Sequence, residues 1–360
     1  VSADRGPAAP SGAAPGLGEF ELIRRYFVRE GASRRATLGI GDDCALLDAG
    51  GTESLAVSTD LLLEDRHFFA DVDPESLGHK TLAVNLSDLA AMGARPLAFT
   101  LALALPSADP RWLERFAGGL FALADAHGCE LIGGDTTRGP LALCVTVLGT
   151  VPPALALRRD RARSGDDLWV SGALGAAAWA VAVRRSAGAW PVAEAGVEGG
   201  AGGEVGGRAG SAIALAAARA RLERPAPRVA LGLALRGIAH AAIDLSDGLA
   251  GDLAHVVERS SRASGAALGA TVEAAALPVD PALAALPPAE RLAFALGGGD
   301  DYELLFAAPV AARESVIAAG AGVGLTLTRI GRIDPRPGLR LHDARAGTTV
   351  LHERSFDHFR

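Results

Sequence analysis

Apolar and polar positions alternate along this chain in two rhythms, and together they predict a mixed α/β protein. Phe20, Ile23 and Phe27 stand at helical spacing, so Glu19–Phe27 is expected to form a short amphipathic helix. Ala45–Leu47 and Leu55–Ser58 are apolar runs of strand length. Asp73-Pro74 is a favourable N-cap and first-turn pair; the helix it opens should run to about Met92, with Gly93 ending it. Pro96–Leu105 reads as a strand, Asp109-Pro110 opens a helix to about His127, Cys129–Ile132 reads as a short strand and Leu141–Thr150 as a longer one. This order is mixed rather than cleanly alternating, which argues for an α+β half-module and against a Rossmann fold.

Val151-Pro152-Pro153 breaks the pattern and marks the expected junction of two domains, 18–152 and 153–360, after a disordered tail at 1–17. The second half reads as strands at Asp167–Val170, Ala241–Ile243, Ala267–Val272, Tyr302–Phe306 and Leu325–Ile330. Helices are expected at Ala173–Arg185, Ser211–Leu222, Arg228–Arg236, Leu249–Arg259 and Ala311–Ala319. Gly188–Gly210, rich in Gly, Ala, Glu and Val, reads as a flexible insertion in which Trp190 is the one large apolar residue.

Composition narrows the function. The 360 residues carry a net charge of −7, without the basic patch of a nucleic-acid binder. Of the 35 basic residues only Lys80 is a lysine. Cys44, Cys129 and Cys144 have no metal-ligand spacing, read as inert buried thiols and fit a reducing cytoplasm. No segment has the apolar length of a membrane span, and the N-terminal stretch lacks the apolar centre of a signal peptide.

The candidate chemistry is acidic. Asp42 and Asp43 sit in a glycine-hinged turn, and Ser58-Thr59-Asp60 is expected at the carboxyl end of a strand, where ligands bind in open α/β sheets. Asp88 lies inside LAVNLSDLAAMGA, where a carboxylate needs a partner unless it faces solvent; Lys80 is two helical turns away. Gly133-Gly134-Asp135 reads either as a phosphate-approaching loop beside a cation ligand or as an ordinary glycine turn. Asp244 ends a strand, and Ser246 or Asp247 precedes a helix, as a ligand or as its N-cap. If Asp43, Asp60, Asp88, Asp135, Asp244 and Asp247 converge, their repulsion requires divalent cations, and oxygen donors suit Mg²⁺. No P-loop, nucleophile elbow or zinc-protease motif is present.

Taken in order, Gly18-Glu19-Phe20, GIGDDCALL, STD, AVNLSDLAAMGA, LIGGDTTRGP, IDLSDGL and GGDDYELLF resemble the thiamine-monophosphate kinases, from Gly18 to Phe359. The resemblance implies an aminoimidazole ribonucleotide synthetase-like two-domain fold, with an N-terminal domain that pairs in a homodimer. It implies a cytoplasmic enzyme that phosphorylates thiamine monophosphate to thiamine diphosphate with ATP and several Mg²⁺ ions. By motif position Asp43, Ser58, Thr59, Asp60, Asp88, Asp135, Asp244 and Asp247 look like metal ligands. Gly134, Asp135, Arg159 and Ser246 look like ATP contacts, and His67, Asp300 and Phe356 like contacts to thiamine phosphate. Asp300 stands where the family usually has Glu, one methylene longer, and the arginine run Arg158–Arg163 matches only loosely. The rival reading is another ATP-using synthetase of the same superfamily. A selenophosphate synthetase would carry a reactive cysteine before Cys44, and a hydrogenase-maturation relative would end in cysteine; neither feature occurs.

Overall fold

Two mixed sheets share this chain. The computed structural model describes residues 36–38, 41–48, 50–191 and 205–351. The helix expected at Glu19–Phe27 and the predicted contact Phe356 lie outside the described residues. The first sheet is built from β1 (Ala36–Leu38), β2 (Ala45–Asp48), β3 (Ser54–Leu63), β4 (Arg95–Leu105), β5 (Glu130–Arg138) and β6 (Ala142–Val151), in the order β1-β2-β3-β6-β4-β5. Its neighbours are antiparallel except for β4 and β5, which run parallel and are joined by a helical crossover.

The first sheet carries α1 (Pro74–Ala91) and α2 (Pro110–His127). Both start as their sequences require. Asp73 accepts from the Ser76 amide at 3.1 Å, and Asp109 from the Arg111 amide at 2.9 Å. α2 is amphipathic, and Gly128 closes it in the left-handed conformation. α1 is apolar or small on nearly every face, and 14 of its 18 residues are buried, which is the pattern of a helix surrounded by other elements.

The second sheet contains β7 (Asp167–Ser171), β8 (Ala241–Asp244), β9 (Gly269–Glu273), β10 (Leu304–Ala308), β11 (Leu327–Asp334), β12 (Gly338–Asp343) and β13 (Gly347–Val350), in the order β13-β12-β9-β11-β7-β10-β8. Its helices are α3 (Ala176–Ala187), α4 (Val205–Glu223), α5 (Val229–Ala234), α6 (Leu249–Ser264), α7 (Pro288–Gly297) and α8 (Arg313–Gly322). α4 begins at Val205, inside the stretch expected to be a flexible insertion, so the helix takes over the end of that segment. Trp190 docks, its ring edge-on to Phe69 with centroids 5.9 Å apart.

α1 joins the halves. It packs on α2, on β3 and β6, and also on α5 and β8. One core cluster accordingly runs from Leu82, Leu86 and Leu89 of α1 to Leu231 of α5 and Phe306 of β10. β8 leaves its carboxyl end, Asp244, against the same helix.

Candidate functional site

Four segments deliver carboxylate and hydroxyl oxygens to one place. Asp43 comes from the turn before β2, Ser58 and Asp60 from the middle of β3, Asp88 from α1, and Asp244 from the end of β8. Carboxylate oxygens of Asp43, Asp88 and Asp244 lie within 4.8 Å of one another. Hydroxyl groups hold them in place: Ser58 donates to Asp88 at 2.5 Å, and Ser87 donates to Asp244 at 2.7 Å. Asn85, one turn before Asp88 on α1, accepts from the Asp60 amide at 3.2 Å and ties the helix to the strand.

Burial drives the carboxyl pKa values of Asp42, Asp60, Asp88 and Asp244 upward. The Asp60 carboxyl is pushed to about 6 by desolvation and by the Asp43 charge. Asp42 rises to about 7 through burial and then the neighbouring Asp43 charge, although Arg159 opposes the rise. Asp88 and Asp244 are raised well above the ordinary carboxylate range, again by burial first and then by neighbouring carboxylates. Arg159 is bonded to Asp43 of the cluster and to Asp42 beside it; its Nη2 lies 2.5 Å from Asp43 Oδ1 and its amide donates to Asp42 at 3.2 Å. Asp43 Oδ2 and Arg159 Nε are both buried with no hydrogen-bond partner. Clustered anions with an orphaned oxygen and an all-oxygen donor set fit a hard divalent cation.

The cluster opens into a cleft of about 1090 Å³ lined by Asp60, Asp88, Asp244, Ser246, Asp247, His67, Lys80, Asp300 and Tyr302, among others. His67 Nδ1 accepts from the Leu63 amide at 2.9 Å, which leaves the ring proton on Nε2 when the ring is neutral. The loop after α7 is pinned over Ser246: the Asp300 amide donates to the Ser246 carbonyl at 2.9 Å, and the Tyr302 amide to that of Leu245 at 2.8 Å. Gly248, with φ +108°, lets α6 start beside the backbone of Gly297 and Gly298, which a side chain there would crowd.

Two expectations need correction. Ser58-Thr59-Asp60 does not end its strand; β3 continues to Leu63 because Leu61-Leu62-Leu63 extends the run. Mid-strand alternation therefore turns Ser58 and Asp60 toward α1 and Thr59 away from it, where its hydroxyl meets that of Thr146 at 2.9 Å. Gly133-Gly134-Asp135 is not a loop but part of β5, an exposed edge strand. Gly134 is fixed by its neighbour, since a Cβ would lie 1.9 Å from the Leu101 carbonyl oxygen of β4. By register Asp135 pairs with Ala102, and Ala102 with Cys144, on the Thr59 side of the sheet; it does not line the cleft.

Sequence reasoning missed Asn85, Ser87 and Tyr302, and it weighed Lys80 only against Asp88. Lys80 instead lies 3.2 Å from Asp300. The available clue was that Asn85 and Ser87, like Asp88, interrupt the apolar run Leu82–Ala91. It also missed Asp252, 3% exposed on α6, which accepts from the Asp247 amide at 3.2 Å.

Comparison with known proteins adds independent findings. Residues 41–151 match the family model described as AIR synthase related protein, N-terminal domain. Thiamine-monophosphate kinase of Escherichia coli (strain K12) is 44% identical over 318 residues, which is 88% of this chain and 90% of the relative. The crystal structure of thiamine-monophosphate kinase from Stenotrophomonas maltophilia K279a superposes with a TM-score of 0.72 at 47% identity, covering 86% of this chain and 91% of that one. A structure described as AaThiL complexed with AMPPCP and TMP gives a TM-score of 0.74 at 26% identity, with 95% and 97% covered.

Proposed function

The chain belongs to the thiamine-monophosphate kinase family, and on that premise we propose that it moves the γ-phosphoryl group of ATP directly onto the phosphate of thiamine monophosphate, in line and with Mg²⁺. The observation that carries this reading is the convergence of Asp43, Asp88 and Asp244 within 4.8 Å beside a large cleft. A relative bound to AMPPCP and TMP supports the substrate pair.

The acceptor oxygen is already ionised near neutral pH, so the reaction needs no general base. The obstacle is bringing a dianion to a polyanion. In this proposal Asp43, Ser58, Asp60, Asp88, Asp244 and Asp247 hold the metal from the cleft side. Bound Mg²⁺ supplies charge neutralisation for the phosphates. Ser246 and Arg159 bind the nucleotide, while His67 and Asp300 orient the acceptor, with Phe356 as its aromatic neighbour. Catalysis is then positioning and electrostatics.

Thr59, Gly134 and Asp135 lie on the other side of the first sheet or at its edge. In this proposal a second copy packs there, and those residues take their metal and nucleotide roles in a homodimer. Leu61, at 50% exposure, Leu63 and Ile132 leave the sheet apolar in that region. No described helix is long and apolar enough to cross a membrane. In this proposal the enzyme is cytoplasmic and acts on two soluble phosphates without nucleic acid. The test is to incubate purified protein with ATP, Mg²⁺ and thiamine monophosphate and to look for thiamine diphosphate. Product that vanishes on chelation supports the reading; ATP binding without product overturns it.

A further inference from the structure

Every ion pair among the described residues uses arginine or histidine as its cation except one. The exception is Lys80, the only lysine in the chain. Its side chain is 3% exposed, yet its ammonium lines the cleft. Nζ donates to the His67 carbonyl at 3.1 Å and lies 3.2 Å from Asp300 Oδ1. Two separate segments, the turn after β3 and the loop after α7, are thereby held by one charge.

The loop is under backbone strain. Asp300 has φ +66° and Tyr302 φ +49°, left-handed values that residues other than glycine hold only when their surroundings impose them. The Tyr302 hydroxyl donates to the same Asp300 Oδ1 at 3.1 Å. Two donors on one oxygen fix the plane of the carboxylate and the direction of Oδ2. A compact ammonium reaches both His67 and Asp300 from inside the core; a planar guanidinium is wider and delivers its donors in a fixed fork.

We infer that Lys80 is a positioning residue for the phosphoryl acceptor: it locks Asp300 and the His67 segment into one preformed wall of the cleft. The inference rests on the proposed function, and it explains how a carboxylate one methylene shorter than the family's usual one is held for its task. Lys80 acts through Asp300 and His67, not on the nucleotide or on the acidic cluster.

Steady-state kinetics of the wild type, Lys80→Met, Lys80→Arg, Asp300→Asn and the double variant Lys80→Met/Asp300→Asn test it, each with a melting curve. Lys80→Met should raise KM for thiamine monophosphate about tenfold and leave KM for ATP within about twofold. Lys80→Arg keeps the charge and should fall between, at about threefold. The double variant should be no worse than the poorer single one, because both changes break the same contact. Should Lys80→Met fail to fold, Lys80→Arg and Asp300→Asn decide by the same split between the two KM values. An unchanged acceptor KM in the folded variants, an equal rise for both substrates, or effects that multiply in the double variant would each overturn the inference. If the wild type makes no thiamine diphosphate, the proposed function falls and this inference with it; if it does, failure of the KM split falls on Lys80 alone.

Discussion

Glu303 and Asp244 are both buried carboxylates, and the chain treats them in opposite ways. Glu303 is 0% exposed and surrounded by donors: the Ser171 hydroxyl at 2.5 Å, Arg221 at 3.1 Å and Arg228, whose Nε lies 2.6 Å away. Asp244, 4% exposed, has one hydroxyl at 2.7 Å and otherwise faces Asp43 and Asp88. Asp167, bonded by Arg313 and Arg329, follows Glu303, and Asp88 follows Asp244. A buried charge is costly unless it is paired. The first kind completes its pairing when the chain folds. The second kind has part of its pairing unmet by the chain, and on the proposed function a cation from solution would complete it.

The largest expected effect breaks the cluster side of this contrast. Asp60→Asn should lower turnover at least a hundredfold, about 2.7 kcal/mol or more of lost transition-state stabilisation. The same variant, without metal, should melt no lower than wild type, since the amide removes a buried charge. More than a tenth of the activity at saturating Mg²⁺ would take Asp60 out of the metal site.

Glu303→Gln should behave the other way. It strands two arginines around an uncharged amide and should cost about 3–5 kcal/mol, read by urea unfolding. Its melting temperature should still rise with Mg²⁺; a lost response would mean that the two acid groups are not separate systems.

pH sharpens the contrast. Folded Asp60 and Asp42 titrate near 6 and 7, above the 3.8 of an ordinary aspartate. The folded state therefore holds protons that the unfolded chain has already released. Stability from these groups is greatest below about pH 4 and declines as pH rises through about 4 to 7. Mg²⁺ competes with those protons, so the melting temperature should gain more from Mg²⁺ at pH 8 than at pH 5. Equal gains at both pH values would argue against carboxylate ligation.

Asp109→Ala sets the baseline, since Asp109 is an exposed acid that only caps a helix. It should cost about 1 kcal/mol and leave kcat unchanged, by thermal melting and the standard assay. A larger loss would show that surface acids carry more of the fold than this contrast allows.

The helices with strong start signals were legible. Asp73-Pro74 and Asp109-Pro110 opened α1 and α2 where expected, because a cap and a proline act through local geometry. α7 and the strands β12 and β13 were missed. β13 is exposed at the margin of the second sheet, so no buried face imposes an apolar pattern on it; β12 buries only Leu339 and part of Leu341, too short an alternation to stand out. β5 was read too short because Gly133-Gly134 looks like a turn; only its close approach to β4 makes glycine necessary there.

Of the site, the sequence by itself determined the family and which acidic and hydroxyl side chains are available, since an ordered set of acidic motifs depends only on residue identity. It also determined that Ser58 and Asp60 share a side and Thr59 does not, once the strand is placed, because side chains alternate. Tertiary structure decided the rest. It set Ser87 against Asp244, 157 positions later, and closed Asp43, Asp88 and Asp244 into one cluster. It turned Asp135 to the other side of the sheet and gave Lys80 to Asp300 instead of Asp88. Which acids meet depends on how β3 and β8 pack against the two flanks of α1. That packing is set by the apolar surfaces buried between them, not by the acids themselves.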